Sequence, residues 1–342
     1  MAPFIAFFLF LILVPFLFGL LYSFILASYL SLLVTVLVIA APILFYILRL
    51  AGAKARETKD SWQAMLKSRG NQDRGVDLSV VVPAYNEEQR LPKMLDETIA
   101  YLESRQTNKS KNPASQIYKL DKFTYEIIIV DDGSKDGTTK FGLEYQKKLG
   151  KDKVKVITLA KNKGKGGAVR VGVLAARGSY IIFVDADGAS KFSDIEKLEE
   201  FMYENQQSKL VIAIGSRAHM EQEAVATRSL FRTILMKGFH LLVWTCCVCT
   251  VRDTQCGFKM FNREAARLLF SNYHNESWAF DVELLYLAEK TKCTIGEIAI
   301  QWKEIEGSKI VPIFSWIRMG WDVVCLATLY TLGIYHVPSI VR

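Results

Sequence analysis

Charge is missing from the first 48 residues: no Asp, Glu, Lys, Arg or His precedes Arg49 in a chain of 342 residues. A matching second pair of metal ligands is missing too. Cys246 and Cys249 form an isolated C-x-x-C beside Cys247, while Cys256, Cys293 and Cys325 are scattered, so neither a zinc site nor a disulfide framework is indicated. The glycine-rich stretch Lys163-Gly164-Lys165-Gly166-Gly167 lacks both the Walker A spacing and G-x-G-x-x-G, which argues against P-loop and dinucleotide-binding readings. With 51% hydrophobic and 23% charged residues the chain is too apolar to be disordered or fibrous. What remains is two unlike objects, an apolar segment of about fifty residues and a basic, water-soluble body from about residue 75, with a net charge of +8 overall.

The uncharged run would reach about 70 Å as a helix, whereas a bilayer core needs roughly 20 residues. An uncleaved transmembrane anchor over 1–50 is expected, because a signal peptide would have a basic n-region and a much shorter apolar run. Pro15 and Gly19 allow a hairpin of two spans near 3–21 and 26–48; a single span over 26–48 is the alternative. Residues 51–76 read as a basic juxtamembrane linker. Arg49, Lys54, Arg56, Lys59, Lys67, Arg69 and Arg74 outnumber Glu57, Asp60 and Asp73 by four, which places this flank and the body after it in the cytosol. The sequons at Asn108 and Asn275 would carry glycans only if the body faced a lumen.

From residue 78, short β-branched runs alternate with longer amphipathic ones. Strands are expected over 78–82, 125–130, 154–159, 180–184 and 210–214, with helices over 88–104, 136–149, 164–176 and 193–206 between them. That alternation predicts an α/β domain on a parallel sheet, interrupted by a polar surface loop over 105–121. Ligands of open α/β sheets bind outside the carboxyl ends of the strands. The polar motifs sit there: Pro83-Ala84-Tyr85-Asn86-Glu87, then Asp131-Asp132-Gly133-Ser134, the glycine-rich stretch, and Asp185-Ala186-Asp187-Gly188. Asp185 and Asp187 flank a small residue directly after an apolar strand, so both can approach one hard cation, Mg²⁺ or Mn²⁺, held with a diphosphate. Lys165 and the backbone of its loop are placed to meet anionic groups at a helix N-terminus.

These motifs, in this order and spacing, resemble the inverting glycosyltransferases of family 2, which have the GT-A fold: Rossmann-like, with a mostly parallel sheet and flanking helices. Further likeness to the branch acting on dolichyl phosphate lies in Gly215-Ser216-Arg217, Asp253-Thr254-Gln255-Cys256-Gly257-Phe258-Lys259, Trp278-Ala279-Phe280-Asp281 and Glu304-Ile305-Glu306-Gly307-Ser308-Lys309. The resemblance implies a catalytic domain over 77–310 that transfers glucose from UDP-glucose to dolichyl phosphate at the cytosolic face of the endoplasmic reticulum, for N-glycan precursor assembly. It implies a nucleotide-sugar site of Pro83, Ala84, Tyr85, Glu87, Asp132, Lys165, Asp185, Ala186 and Asp187, with Asp187 as principal metal ligand assisted by Asp185. Ala189 stands where related mannosyltransferases have a third ligand.

A lipid phosphate acceptor calls for arginines, which grip phosphate bidentately. Arg217 matches the family motif, and Arg228 and Arg232 lie four apart on one predicted helix face. By the same likeness Asp253, Gln255 and Trp278 belong to the sugar and acceptor loop, and Asp281 acts on the acceptor or as a weak base, so that Asp187, Asp281 and Arg217 form the catalytic set. Glu283 and His219 read as structural, His219 as a hydrogen-bonding residue. Leu230–Val251 and 311–342 are expected to be helices in the membrane interface. The expected partners are UDP-glucose, dolichyl phosphate and the bilayer, with no nucleic acid. A GDP-mannose-dependent enzyme of the same fold and a non-catalytic scaffold are the alternatives; a processive synthase would need further spans and a Gln-x-x-Arg-Trp motif, which are absent.

Overall fold

The computed structural model describes residues 19–31, scattered positions from there to 53, then 75–107, 117–118, 123–220, 238–239, 242–248, 250–305 and 312–338. The chain divides into two units, Met1–Lys54 and Ala55–Arg342. In the first, residues 19–31 are helical, with Ser23 and Ser28 donating to the carbonyls of Gly19 and Phe24. Most of the expected anchor lies outside the described residues, and among the described residues no helix is long and apolar enough to cross a membrane.

The second unit is built on a seven-stranded sheet of order β3-β2-β1-β4-β6-β5-β7. The strands are β1 Val76–Ala84, β2 Tyr125–Asp131, β3 Val154–Thr158, β4 Gly178–Val184, β5 Val211–Ser216, β6 Phe258–Asn262 and β7 Thr294–Ala299. The helices are α1 Leu91–Thr107, α2 Thr138–Leu149, α3 Gly164–Ala175, α4 Ile195–Glu204, α5 Arg263–Phe270, α6 Phe280–Lys290 and α7 Pro312–Thr331. Strands covered on both faces must be apolar along their whole length. β1 and β2 obey this over 80–82 and 127–130, while the buried Ser79 before that stretch donates to Glu126 at 2.6 Å, and their alternate apolar residues divide between two cores. Val81, Ile128 and Phe183 face α3, α5 and α6, whereas Val80, Val82, Ile127, Ile129 and Ile182 face α1 and α4.

All five expected strands and the helices between them are present, with α1 starting three residues later than expected, after Arg90. Two strands were not anticipated, and one of them changes the sheet from parallel to mixed. β6 runs antiparallel between β4 and β5, pairing Phe183 with Lys259 on one side and Ile214 with Lys259 on the other. It thereby brings Lys259 and the turn before it to the sheet centre. Of the apolar stretch 230–251, Phe239, Val243, Cys247 and Val248 join the core with Met319 and Val323 of α7, while Trp244 is exposed. α7 likewise buries Met319, Val323 and Leu326 and exposes Trp321 and Val324, so the described residues of both segments bury one side and expose the other.

Candidate active site

The carboxyl ends of β1, β2 and β4 open on a cavity of about 680 Å³. Its wall contains Pro83 and Ala84 at the end of β1 with Tyr85 and Glu87 beyond it, Asp132 after β2, Lys165 in the glycine-rich start of α3, and Asp185, Ala186 and Asp187 after β4. Arg217, Gln255, Trp278 and Asp281 close the other side. The structure therefore gathers the expected residues from segments far apart in sequence. Asp253 stands behind Arg217, and Arg228 and Arg232 lie outside the described residues.

The strand-end loops are laced together. The backbone N–H of Asn86, a residue in the left-handed region at φ 52°, donates to Ser134 Oγ at 2.8 Å, and that of Lys135 donates to Asn86 Oδ1 at 2.8 Å. Glu87 receives Arg90 bidentately at 2.7 Å on each oxygen, so it enters the site as half of an ion pair. Asp132 accepts from the backbone N–H groups of Lys163 and Gly164 at 2.7 and 2.9 Å. The start of α3 has no cap of its own, and the Asp132 carboxylate supplies one from the neighbouring strand. Burial nevertheless raises the Asp132 pKa above its ordinary value.

At the centre is an array of alternating charge. Lys165 Nζ lies 2.7 Å from Asp185 Oδ1, and Lys259 Nζ lies 2.6 Å from Asp281 Oδ1. Burial would lower Lys165, but Asp185 and Asp281 outweigh it and hold the ammonium above its usual range. Asp187 is pushed up by burial and then by the like charge of Asp185, with one N–H from Ala189 at 2.9 Å as partial compensation. Two hard carboxylates that repel each other in a half-closed cavity suit a divalent cation, and an ammonium already sits on one of them. Glycine is required at 257, because a Cβ there would lie 2.0 Å from Asp185 Oδ2. Asp281 is raised by burial against the pull of Lys259 and Lys165.

Arg217 is clamped by Asp253 through Nε and Nη2 at 2.8 Å each, and its guanidinium lies 5.4 Å from the Trp302 ring centroid. Burial pushes the Asp253 carboxyl up, but its bonds to Arg217 outweigh that and hold it below the carboxylate range. The clamp uses two of the five guanidinium N–H groups and fixes the plane in which the others can meet a phosphate. Glu283 does not line the cavity and is buried. His219, expected to be a hydrogen-bonding residue, is exposed in a one-turn 3₁₀ helix and makes no side-chain hydrogen bond among the described residues.

Sequence reasoning missed Arg90, Trp302 and Met319 in the wall and Lys259 behind it. A readable signal existed only for Lys259, the single charge in the apolar strand Phe258-Lys259-Met260-Phe261. A buried lysine there demands an acidic partner.

A mixed α/β sheet with an acid pair, a lysine and a clamped arginine at its carboxyl edge defines a GT-A-type glycosyltransferase. The sequence profile of glycosyl transferase family 2 matches residues 79–270, and the chain belongs to that family. Dolichyl-phosphate beta-glucosyltransferase of Homo sapiens is 55% identical over 264 residues, 77% of this chain and 78% of that protein. The Drosophila melanogaster protein of the same name is 52% identical, covering 78% of each chain, and the Saccharomyces cerevisiae one 44% identical, covering 77% and 78%. Among solved structures, glucosyl-3-phosphoglycerate synthase of Mycobacterium tuberculosis with Mn²⁺, UDP and glucosyl-3-phosphoglycerate superposes with a TM-score of 0.49 at 17% identity, covering 78% of this chain and 82% of that one.

Proposed function

We infer that the protein transfers glucose from UDP-glucose to dolichyl phosphate, releasing UDP and forming a β-linked glucosyl phosphate lipid. The observation that carries this reading is the convergence of an acid pair, Lys165 and a clamped Arg217 on one cavity in a chain 55% identical to a glucosyltransferase of that specificity. The mannosyltransferase alternative is not favoured, since the relatives carry the glucosyl name. Neither is the scaffold, since Asp185 and Asp187 are both in place.

The reaction forms a bond between an acceptor phosphate oxygen and the anomeric carbon as the bond from that carbon to the diphosphate of UDP breaks. A phosphate monoester has its second pKa near 6, so at neutral pH the nucleophile is already ionised and little is asked of a base. Catalysis then rests on positioning and on charge. Pro83, Ala84 and Tyr85 form the wall for the uridine, while Asp132 shapes the loop that presents Lys165 to the diphosphate. Arg217 orients the acceptor phosphate, and Gln255, Trp278 and Asp281 face the sugar. Asp187 and Asp185 would hold a Mg²⁺ or Mn²⁺, which would neutralise charge on the leaving diphosphate.

We also propose that residues 1–50 anchor the chain in the endoplasmic reticulum membrane through one or two spans, with 51–76 as basic linker and the catalytic domain in the cytosol. The run of 48 residues without charge supports the anchor. The exposed Trp244 and Trp321, on segments whose opposite faces are buried, support contact of 230–251 and 311–342 with the headgroup layer. Asn108 would then remain unglycosylated in a eukaryotic host, and a glycan there would reverse the topology.

The decisive experiment offers UDP-glucose, UDP-galactose and GDP-mannose separately to the detergent-purified protein with dolichyl phosphate, with and without EDTA. Glucose-only, EDTA-sensitive transfer is expected. Transfer from GDP-mannose would overturn the donor, and no transfer from any donor would revive the scaffold.

A further inference from the structure

We propose that Glu283 is a positioning residue that couples the docking of the C-terminal helix α7 to the shape of the glycine-rich loop. The proposal rests on the donor reading above only for the ligand that this loop would hold.

Glu283 is 1% exposed and outside the cavity wall, yet it gathers donors from two separate segments, His274-Asn275 and α7. Its Oε1 accepts from the backbone N–H of His274 at 2.9 Å, stands 2.8 Å from His274 Nδ1, and accepts from Tyr330 Oη at 2.8 Å. Its Oε2 accepts from the backbone N–H of Asn275 at 2.7 Å. Burial would raise this carboxyl, but the bonds from His274 and Asn275 outweigh it and hold it below its ordinary range, so it stays ionised. A residue serving only to fill this space would be apolar, since a buried carboxylate is costly unless its donors are all in place.

The donors say what it joins. On one side is α7 with the turn after it: Tyr330 reaches Glu283 directly, and the Tyr335 ring stacks on His274 at 3.8 Å and 12°. On the other side is the glycine-rich loop, against which the segment folded by Glu283 is pressed. Glu276 O accepts from the backbone N–H of Gly167 at 3.1 Å, and Tyr273 Oη donates to Gly166 O at 2.6 Å. Gly164, at φ +85°, lies so close that a Cβ would be 2.5 Å from Glu276 O. The loop carrying Lys165 therefore takes its shape from residues 273–276, which take theirs from Glu283, which is completed by α7. The same helix contributes Met319 to the cavity wall. Loosening α7 is thus transmitted, through this chain of bonds, to the loop that presents Lys165.

Tyr330→Phe tests this by removing one hydroxyl and no volume, with Glu283→Gln as the second variant. Loss of a hydrogen bond to a charged group should raise the KM for UDP-glucose about tenfold, with the KM for dolichyl phosphate unchanged and the melting temperature lowered by only several degrees, on the order of 2–4 °C per kcal/mol lost. Amide hydrogen exchange at residues 163–168 should accelerate in both variants while β1 and β2 keep their protection, and this arm needs no ligand. Equal donor KM with unaltered loop exchange would overturn the coupling. Faster loop exchange without any response of the unaltered protein to UDP-glucose would leave the coupling standing and overturn the donor instead. Uniformly faster exchange across the domain would make Glu283 a merely structural residue and refute the proposal.

Discussion

Lys259→Met is the most informative single perturbation of the charge array. Lys259 is fully buried, its ammonium 2.6 Å from Asp281 Oδ1 and 2.7 Å from the carbonyl of Cys256, and the Asp281 side chain is 4% exposed. Removing one partner of such a pair leaves an uncompensated charge, which costs about 3–5 kcal/mol. At roughly 2–4 °C per kcal/mol the melting temperature should fall by on the order of 10 °C. Asp281 escapes part of this penalty by taking a proton. Burial already raises it in the parent protein, and replacing Lys259 removes the largest charge that opposes that rise. Between the unfolded value near 3.9 and that raised value, the folded state holds a proton that the unfolded state lacks. Stability of the variant must then rise as pH falls, by up to about 1.4 kcal/mol per unit. Thermal unfolding of Lys259→Met and parent at pH 8, 7 and 6 should show a deficit that shrinks towards acid, and Asp281→Asn added to Lys259→Met should recover much of it at pH 8. A deficit that widens with acid, or a double variant no more stable than Lys259→Met alone, would refute the reasoning.

Asp187→Asn should reduce glucosyl transfer by orders of magnitude with little change in melting temperature; appreciable turnover in saturating Mg²⁺ would remove it as principal metal ligand. Asp253→Asn should free the Arg217 guanidinium from its clamp and raise the KM for dolichyl phosphate about tenfold, the scale of one charge-assisted hydrogen bond, with little effect on UDP-glucose. Steady-state kinetics with each substrate varied separately decides this, and the reverse pattern would move Arg217 to the donor side. Gly257→Ala sets a methyl group 2.0 Å from Asp185 Oδ2, so it should weaken Mn²⁺-dependent UDP binding measured by calorimetry, and unchanged binding would remove Asp185 from the cation site.

The legible part of this protein is the part where each residue's environment is set by its own neighbours in sequence. β1, β2 and β4 are covered on both faces, so they read as apolar runs, and the polar residues just past them stand out as a site from their order alone. β6 and β7 do not read so plainly. β6 is five residues long with Lys259 inside it, and β7, Thr294-Ile295-Gly296-Glu297-Ile298-Ala299, lies at a partly exposed sheet edge and carries both a glycine and a carboxylate. The ion pairs are illegible for a different reason. Lys165 and Asp185, and Arg217 and Asp253, each look alone like surface residues, and their partial burial is tolerable because a partner 20 or 36 positions away compensates it; Lys259 stands out in its apolar strand, but its partner Asp281, 22 positions away, does not. Glu283 extends the argument, because its donor Tyr330 is 47 positions away on a helix whose composition suggested only an amphipathic surface. A side chain's chemistry is readable from its type and spacing, whereas its being held in place depends on the topology that supplies the partner.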